Sequence, residues 1–367
     1  MNKPPATLAI LLPLPFAEAY DYLPRNGTPP KGTIVEVSIG KKQSAGVVWG
    51  PGKGGVPESK LKPVLRELDL PSLPDVSRAF VDWVAQYTVT PGGAVLKMVF
   101  GSPRLLHLKK NDNIDPPRPD PDFHQPELTE EQQKAAAFLV AGVQGSGIGV
   151  QAGPLSRTPN PDPRPLVTLL DGVTGSGKTE VFCEAIAQCL RHGKQALLLL
   201  PEIAMTAALM HRLEKRFGAP PVQWHSELSE KQRRLNWHAI AQGKAKFVMG
   251  ARSALFLPYP DLGLIVVDEE HEGSYKQEEG VIYHGRDMAV VRAHLGGIPA
   301  VLSSATPSLE TLYNVQQKKY GHVTIRNRYG KADMPKIGLG DLRQFEMPSQ
   351  NFISPPLLEA LQKTIGG

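Results

Sequence analysis

An apolar run that turns into a glycine-rich loop constrains this chain more than any other feature. Residues 166–171 read Leu-Val-Thr-Leu-Leu-Asp, and Gly172-Val-Thr-Gly-Ser-Gly-Lys-Thr179 follows directly. This octapeptide matches G-x-x-x-x-G-K-[ST], and a helix-forming stretch from Glu180 continues it. A strand, a glycine turn and a helix in this order predict a phosphate-binding loop at the carboxyl end of the strand. A tight glycine turn with an incidental lysine is the alternative.

Each residue type in the loop has a chemical role. Glycines let successive backbone N–H groups turn toward a phosphate, and the helix that follows offers its positive end. Lys178 would neutralise the β- and γ-phosphates, and the Thr179 hydroxyl would ligate Mg²⁺. The loop residues predicted to bind a nucleotide are Gly172, Gly175, Ser176, Gly177, Lys178 and Thr179. The expected cofactors are therefore ATP and Mg²⁺.

A second apolar run, 264–267, ends in acidic residues about ninety positions later. A buried strand beside the strand of the glycine loop would place Asp268 at its carboxyl end, where it could hold the Mg²⁺ shell. Glu269 would then polarise the attacking water. The predicted catalytic residues are Lys178, Asp268 and Glu269, and the predicted metal ligands are Thr179 and Asp268. A solvated acidic turn is the alternative.

From Leu166 onward, apolar runs alternate with helical patterns. The predicted strands are 196–200, 222–225, 246–249, 264–267 and 300–303, and the predicted helices are 207–217, 230–242, 286–294 and 308–319. This alternation predicts a parallel sheet covered on both faces, an α/β P-loop lobe over 128–335. Thr129 is positioned as the N-cap of a first helix, with Gln132 as its capping-box partner. The Gly/Pro/Asn-rich stretch 141–165 is predicted to be a flexible insertion.

Flanking segments complete a multi-domain organisation. Residues 1–105 alternate short strand-like runs with turn residues and predict a small β-barrel-like domain with one helix, Val76 to Tyr87. The proline-rich residues 106–127 predict an extended linker. After Tyr320 the pattern loosens, and 336–367 is predicted to be a carboxyl-terminal extension with a helix from Pro356 to Thr364.

Charge and cysteine usage bound the class of protein. Residues 1–110 contain 14 Lys and Arg against 8 Asp and Glu, whereas the remainder contains 27 against 28. The amino-terminal excess favours a module that binds a polyanion, with a merely solvated surface as the alternative. Cys183 and Cys189 form no metal or redox motif, so packing is their predicted role. No secretory or membrane-spanning run is present, which predicts a cytoplasmic protein without a membrane partner.

Taken together, the motifs resemble the PriA family of primosomal replication-restart helicases, which belong to superfamily two. The matching runs are Gly172–Glu180, Leu200–Thr206, His225–Ser229, Gly250–Phe256, Asp268–His271, Ser274–Gln277, Tyr283–Asp287, Ser304–Thr311 and Asn314–Tyr320. They cover a first motor lobe, so the resemblance implies a RecA-like fold for it. It also implies that Gln132 senses adenine, that 304–306 couple nucleotide state to DNA contact, and that Arg252 and Ser253 lie along single-stranded DNA.

The amino-terminal domain resembles the family's module for capturing a 3′ DNA end. The pocket positions carried over by this resemblance are Asp21, Tyr22, Gly40 and Lys62. A carboxylate such as Asp21 accepts a hydrogen bond from a 3′-hydroxyl, and the Lys62 ammonium meets a nearby phosphate. For Asp21, a turn residue before Leu23 is the alternative.

The sequence also departs from the family. Only the proline-rich linker stands where a winged-helix domain is usual, and the second motor lobe with its zinc module is absent, so zinc is not expected in this chain. In the loop after the acidic run, Val281 and Ile282 replace a tryptophan and a basic residue, which leaves Tyr275 and Tyr283 as its aromatics.

The resemblance implies a bacterial, nucleoid-associated protein of the replication-restart primosome. Its expected partners are forked DNA, 3′ DNA ends, primosome proteins, single-strand-binding protein and the replicative helicase or its loader.

The family unwinds DNA 3′ to 5′ with ATP, but the second lobe supplies the arginines that complete the site. Such arginines raise the rate of hydrolysis by ~10³- to 10⁵-fold. This chain alone is therefore expected to bind ATP with little or no turnover. A fork-binding assembly platform without motor activity is the alternative, and a small-molecule kinase fits the glycine loop but not the acidic run.

Overall fold

Within residues 7–67, position 26 excepted, five antiparallel strands curl into a barrel. The structure, a computed structural model, describes residues 7–25, 27–145, 165–329, 338–345 and 353–365. The strands are β1 (Leu8–Leu11), β2 (Tyr20–Tyr22), β3 (Ile34–Ile39), β4 (Lys42–Pro51) and β5 (Val64–Glu67). Their order is β2-β1-β4-β3-β5, and the two outer strands meet where the Leu23 N–H donates to the Lys62 carbonyl oxygen at 2.9 Å. The barrel-like fold is thereby confirmed.

Alternating side chains fill the barrel. The buried residues of its interior are Leu8, Ile10, Leu12, Tyr22, Val35, Val37, Val48 and Val64. Because successive strand residues face opposite sides, Leu11, Ile34 and Val47 point outward, where they join a second hydrophobic core. Two helices, α1 (Asp75–Tyr87) and α2 (Gly92–Phe100), contribute to that core. The first strand is therefore buried on both faces, which explains its continuous apolar sequence.

The sequence predicted the first of these helices but not the second. Gly92 and Gly93 follow Pro91 and suggest a turn, yet they open α2. A Cβ on Gly93 would overlap the carbonyl oxygens of Leu12 and Leu14, so glycine is required for the close approach of α2 to the barrel. This need comes from tertiary packing and leaves no local signal.

Between residues 165 and 329, seven parallel strands form the sheet of the P-loop lobe. They are β6 (Val167–Gly172), β7 (Gln195–Leu199), β8 (Val222–Trp224), β9 (Phe247–Gly250), β10 (Leu262–Asp268), β11 (Ala300–Ser304) and β12 (Gly321–Ile325). Their order is β12-β6-β11-β10-β7-β9-β8. The predicted α/β lobe is confirmed, although β12 was not predicted.

One expectation about this sheet is wrong. The acidic strand β10 was expected beside the P-loop strand β6, but β11 lies between them. Asp268 is paired in register with Ser303 on β11, and Ser304 with Asp171 on β6. Because all three strands are parallel, their carboxyl ends still meet at one edge of the sheet.

Helices cover both faces of this sheet. They are α3 (Glu130–Gly145), α4 (Lys178–Arg191), α5 (Ala207–Phe217), α6 (Glu230–Ala241), α7 (Gly285–Gly296) and α8 (Leu309–Gln316). The capping box at α3 is confirmed, since the Thr129 N–H donates to Gln132 Oε1 at 2.9 Å and the Gln132 N–H donates to Thr129 Oγ1 at 3.3 Å. Of the predicted insertion at 141–165, residues 141–145 belong to α3 and 146–164 lie outside the described residues.

The barrel and the lobe share one hydrophobic core. Residues of α1 and α2 lie in the same buried cluster as those of α6 and α7. The Trp237 indole N–H donates to the Val99 carbonyl oxygen at 2.9 Å, and Arg292 donates to Ser77 Oγ at 3.3 Å. The two domains therefore belong to one compact unit, Met1–Tyr329.

Both cysteines lie on α4 and are buried. Burial raises the pKa of both thiols, that of Cys189 to about 12. A thiol held protonated in an apolar core is unreactive. The predicted packing role of Cys183 and Cys189 is confirmed.

The proline-rich segment that precedes α3 runs along the surface of the lobe and is attached to it by ion pairs. Asp112 accepts hydrogen bonds from Arg234 at 2.7 and 3.2 Å, and both side chains are buried. Further along, Asp122 pairs with Arg191 at 2.6 Å. The Arg234 guanidinium lowers the pKa of Asp112 to about 2, whereas an unpaired aspartate has a pKa of ~3.9.

Asp112 predicts a pH-dependent contribution to stability. The pKa of Asp112 is lower in the folded state than in the unfolded state. The ion pair therefore contributes its full stabilisation above the unfolded-state pKa, and this contribution is lost as the pH falls from about 4 toward 2. In urea titrations, Asp112→Asn should unfold at lower urea than the wild type at pH 6, and this gap should narrow by pH 3. The matched variant Asp115→Asn removes an exposed ion pair to Lys244 and should stay near the wild type. A gap independent of pH would contradict the assignment.

The second compact unit, Gly330–Gly367, is described by its own elements. Its described residues include α9 (Pro355–Ile365), which confirms the predicted helix, and a short 3₁₀ turn at Leu342–Gln344. Residues 336–337, 346–352 and 366–367 of the predicted extension lie outside the described residues, as do residues 330–335 of the predicted lobe. None of the helices in the described part of the chain has the length and apolar character needed to cross a membrane.

Candidate functional site

The glycine loop adopts a conformation that turns its backbone inward. Gly175 and Gly177 have φ of +78° and +79°, a region that favours glycine. The Ser176 N–H donates to the Val173 carbonyl oxygen at 3.0 Å, and α4 begins immediately after Gly177. The loop backbone and the amino terminus of α4 line the same cleft, and backbone N–H groups at such a helix start favour anion binding.

The lysine of the loop lies across it. Lys178 Nζ donates to the carbonyl oxygen of Gly172 at 2.8 Å, so the ammonium lies against the residue that ends β6. Thr179, the next residue, lines the same cleft as the lysine. A phosphate group placed on the loop would therefore meet a positive charge and a hydroxyl from consecutive residues of one helix turn.

The acidic pair stands at the carboxyl end of β10. Asp268 accepts a hydrogen bond from Ser303 Oγ at 2.8 Å. Burial raises the pKa of Asp268, and the Ser303 hydrogen bond and the Lys178 charge oppose this rise. Glu269 has a left-handed backbone, with φ of +48°, which is unusual for a residue with a side chain. Burial, together with the neighbouring Asp268 charge, also raises the pKa of Glu269.

A cleft of about 850 Å³ contains both groups. Lys178 and Thr179 line one part of it, and Asp268 and Glu269 line another. The remaining lining residues are His124, Gln125, Pro126, Glu127, Gln132, Thr174, Gly175, Gly177, Glu180, Arg212 and Tyr329. The P-loop and the acidic pair, about ninety residues apart in sequence, thus face the same space, and it is large enough for a nucleotide.

The donor set fits a magnesium ion shared with phosphates. Mg²⁺ is usually held by one or two carboxylates and several waters, together with substrate phosphates. Thr179 and Asp268 supply a hydroxyl and a carboxylate to the cleft. Within the described residues, no three His, Cys, Asp or Glu side chains cluster so as to hold a metal by themselves. A metal here would therefore depend on phosphate oxygens for the rest of its coordination.

Gln132 joins α3 to the loop. Its side chain is buried, and Nε2 donates to the Ser176 carbonyl oxygen at 2.8 Å. A Cβ on Gly177 would overlap this amide, so the glycine permits the contact. The residue predicted to sense adenine thus lines the cleft and also holds the loop; adenine sensing itself stays a prediction.

A buried carboxylate next to the acidic pair was not predicted. Glu270 is fully buried and accepts hydrogen bonds from the Ser308 N–H at 2.7 Å, Thr311 Oγ1 at 2.9 Å and Arg286 Nη1 at 3.1 Å. It ties the end of β10 to the first turns of α7 and α8. The only sequence signal was a third acid after the predicted pair, and its partners lie sixteen to forty-one residues away.

Two further contacts position the site. The Tyr275 hydroxyl donates to the carbonyl oxygen of Asp268 at 2.7 Å and also lies 3.1 Å from the carbonyl oxygen of Leu199, so it supports the end of the acidic strand. After β12, the Tyr329 N–H donates to the Gly175 carbonyl oxygen at 3.0 Å. Sequence reasoning missed both because neither segment carries a motif that specifies its partner.

The predicted coupling and DNA-path residues occupy the same edge of the lobe. Ser304 Oγ accepts from the Thr306 N–H at 3.0 Å and lies 2.8 Å from His271 Nδ1. Arg252 donates to the Lys276 carbonyl oxygen at 2.9 Å, and Ser253 beside it is exposed. Their roles toward DNA stay predictions.

The aromatic residues of the loop after the acidic run face inward. Tyr275 and Tyr283 are both buried, so neither presents a face to a single strand. Tyr283 packs edge-on against Phe256, with ring centroids 5.3 Å apart. The two tyrosines therefore support the lobe's core.

Three of the four predicted DNA-end residues come together at one end of the barrel. The Tyr22 hydroxyl donates to the Ser38 carbonyl oxygen at 3.1 Å. Gly40 lies two residues after Ser38, in the turn between β3 and β4. Lys62 Nζ donates to the Gly40 carbonyl oxygen at 3.1 Å. Lys62 is exposed, so its ammonium is accessible to a phosphate.

Asp21 has a different set of contacts. It lies within β2, next to Tyr22, so its side chain points to the opposite face of the strand. Its carboxylate accepts hydrogen bonds from the backbone N–H groups of Lys53 at 3.0 Å and Gly54 at 2.7 Å. Thr7 Oγ1 donates to it at 3.2 Å. The carboxylate is thereby held in one orientation at the strand edge.

Two protein families match separate parts of the chain. Residues 165–315 match the DEAD/DEAH box helicase family, and residues 9–101 match the 3′DNA-binding domain of PriA. Fold and site thus define a helicase-type P-loop lobe joined to a domain of the kind that binds 3′ DNA ends.

The curated relatives are replication restart proteins. The chain is 36% identical over 359 residues to "Replication restart protein PriA" of Rickettsia felis, covering 97% of this chain and 51% of the relative. It is 41% identical over 200 residues to the protein of the same name from Bacillus subtilis, covering 54% of this chain and 25% of the relative. Over its 3′ DNA-binding domain and first helicase lobe, the chain belongs to the PriA family. It spans about half the length of the first of these relatives.

Among solved structures, RecG bound to a three-way DNA junction aligns with a TM-score of 0.39 at 17% identity, covering 59% of this chain and 27% of RecG. A similarity of this strength carries no argument.

Proposed function

We propose that this protein acts in replication restart: it recognises stalled or branched forks through its barrel and binds Mg·ATP in its helicase lobe. The activity proposed for the whole protein is ATP-dependent 3′ to 5′ unwinding of DNA. The observation that carries the proposal is the shared cleft, in which Lys178 and Thr179 face Asp268 and Glu269. The helicase family uses nucleotide and Mg²⁺, and the donors in this cleft suit both.

In the proposed site, each residue has one task. The loop N–H groups and Lys178 bind the β- and γ-phosphates, while Thr179 and Asp268 hold Mg²⁺, which neutralises charge on those phosphates when bound. Glu269 orients and deprotonates the attacking water. Its raised pKa suits this task, because a general base works best when its pKa approaches the working pH.

The test of the whole proposal is a titration in one tube. Labelled Mg·ATP and a labelled forked DNA are titrated against the 367-residue chain, and phosphate release is followed in parallel. Saturable binding of both ligands supports the proposal. A chain that binds the fork but no ATP would leave only an assembly platform.

The barrel predicts discrimination between DNA ends. A fork whose 3′ end carries a hydroxyl should bind several-fold more tightly than one with a 3′-phosphate, because the Asp21 carboxylate accepts a hydrogen bond and repels an added phosphate. Lys62→Ala should weaken binding of both forks and lower the salt slope of log K by about 1. Fluorescence anisotropy across a salt series measures both effects.

The control for Lys62→Ala is Lys244→Ala. Lys244 belongs to the lobe, away from the barrel, and pairs with Asp115. It should leave the salt slope unchanged. Equal affinity for the two DNA ends would remove Asp21 from its proposed role, and an unchanged slope in Lys62→Ala would do the same for Lys62.

The proposed role implies partners and a location. Forked DNA and 3′ ends are the direct ligands, while primosome proteins, single-strand-binding protein and the replicative helicase or its loader are proposed partners. The relatives come from bacteria, which supports a place in the bacterial cytoplasm beside the nucleoid.

A further inference from the structure

An arginine that no motif assigns stands at the rim of the nucleotide cleft. Arg212 of α5 reaches α4, where Nε donates to Glu180 Oε1 at 2.6 Å and Nη2 donates to Oε2 of the same carboxylate. Both residues line the cleft, and the Arg212 side chain is 49% exposed. An ion pair this exposed contributes little to the free energy of unfolding. Its two-point geometry therefore points to a role other than stability.

Gly177 locates this pair within the cleft. A Cβ on Gly177 would lie 3.3 Å from Glu180 Oε2 and would overlap the Gln132 amide. The Glu180 carboxylate and the Gln132 amide therefore flank the same glycine. Residues 124–127 line the same cleft. Through its pairing with Glu180, Arg212 thus lies in the part of the cleft that Gln132 lines.

The two-point pairing decides what Arg212 offers a ligand. Two of its N–H groups and its charge are matched by one carboxylate, which makes it a poor phosphate ligand. Its guanidinium plane is fixed in orientation, however, and a guanidinium face stacks on aromatic rings. We propose that Arg212 is the platform on which the base of the bound nucleotide packs, with Glu180 as the residue that holds the plane. This inference rests on the proposed binding of ATP.

Calorimetry on the 367-residue chain tests the platform with two probes, Mg·ATP and Mg·tripolyphosphate, which has no base. Arg212→Ala and Arg212→Lys should both weaken Mg·ATP binding by about 5- to 30-fold, because lysine keeps the charge but has no flat face. Tripolyphosphate affinity should stay within about twofold, since stacking contributes nothing to a ligand without a ring. The control, Arg66→Ala, removes a similar Arg–Glu pair on the barrel and should bind both probes like the wild type.

Each other outcome has a defined meaning. Equal losses for both probes, or full ATP affinity in Arg212→Lys, would show that Arg212 supplies charge to phosphates and would overturn the platform. Wild-type ATP affinity in Arg212→Ala would also overturn it while leaving the proposed function standing. A wild-type chain that binds neither probe would refute the proposed function itself. Glu180→Gln should give a smaller ATP-specific loss, because it releases the plane without removing it.

Discussion

Lys178→Ala is expected to weaken Mg·ATP binding by about 100-fold or more, or roughly 3 kcal/mol. The variant removes the ammonium that lies 2.8 Å from the Gly172 carbonyl oxygen, on the loop where the β- and γ-phosphates would bind. It also removes a positive charge that lowers the pKa of Asp268, so this buried carboxyl should be protonated more readily and should bind Mg²⁺ less well. Titration with a fluorescent ATP analogue in the presence of Mg²⁺ measures the loss.

Lys134→Ala is the matched control for this experiment. Lys134 pairs with Glu130 on the exposed surface of α3 and lies outside the loop, so ATP affinity should stay within about twofold. Fork binding by the barrel should be unchanged in both variants. Comparable ATP affinity in Lys178→Ala and the wild type would mean that the cleft does not bind phosphates through this lysine.

Local sequence predicted the parts of the lobe that depend on short-range physics. Central strands of a parallel sheet are buried on both faces, so Ala196–Leu199 of β7 and Leu264–Val267 of β10 are unbroken apolar runs. The start of α3 was predictable because the side chains of Thr129 and Gln132 each accept a hydrogen bond from the other residue's backbone N–H, within a single turn. The P-loop was predictable for the same reason: Gly175 and Gly177 need conformations that only their own sequence permits.

The order and register of the strands could not be predicted from local sequence. Nothing in the apolar run of β11 shows that it inserts between β6 and β10, because insertion depends on how the crossover helices pack. The short β12 was missed for a related reason: its residues Gly321–Ile325 alternate weakly and become a strand by pairing with β6. Helix α2 was not predicted, because the need for Gly93 at its start comes from packing against the barrel.

The candidate site shows the same division. The positions of Asp268 and Glu269 were predictable because they stand where a strand ends, and that of Lys178 because it belongs to the glycine-loop motif. The residues that orient them come from segments far away in sequence: Ser303 on β11 holds Asp268, and Tyr329 after β12 holds the P-loop. Such contacts depend on tertiary structure alone, and they decide how rigidly the predicted residues are held.

Glu270→Ala is expected to cost about 3 to 5 kcal/mol of stability and to lower the melting temperature by roughly 4 to 7 °C. Glu270 has no exposed surface, and its carboxylate accepts hydrogen bonds from Arg286, Ser308 and Thr311. Removing it leaves the mostly buried Arg286 guanidinium without its buried carboxylate partner, and unpaired buried charge is the costly part of such a change. Thermal unfolding at one scan rate measures the difference.

Glu310 provides a control on the same arginine. It lies 4.0 Å from Arg286 Nη1, but its side chain is 73% exposed, so Glu310→Ala should shift the melting temperature by no more than about 1 or 2 °C. Similar shifts in the two variants would show that burial does not decide the strength of this network.

Because Glu270 directly follows Glu269 and anchors the first turn of α8, we also expect Glu270→Ala, unlike Glu310→Ala, to weaken Mg·ATP binding at temperatures where both variants are folded. The acidic pair would then depend on a buried carboxylate that makes no contact with the nucleotide.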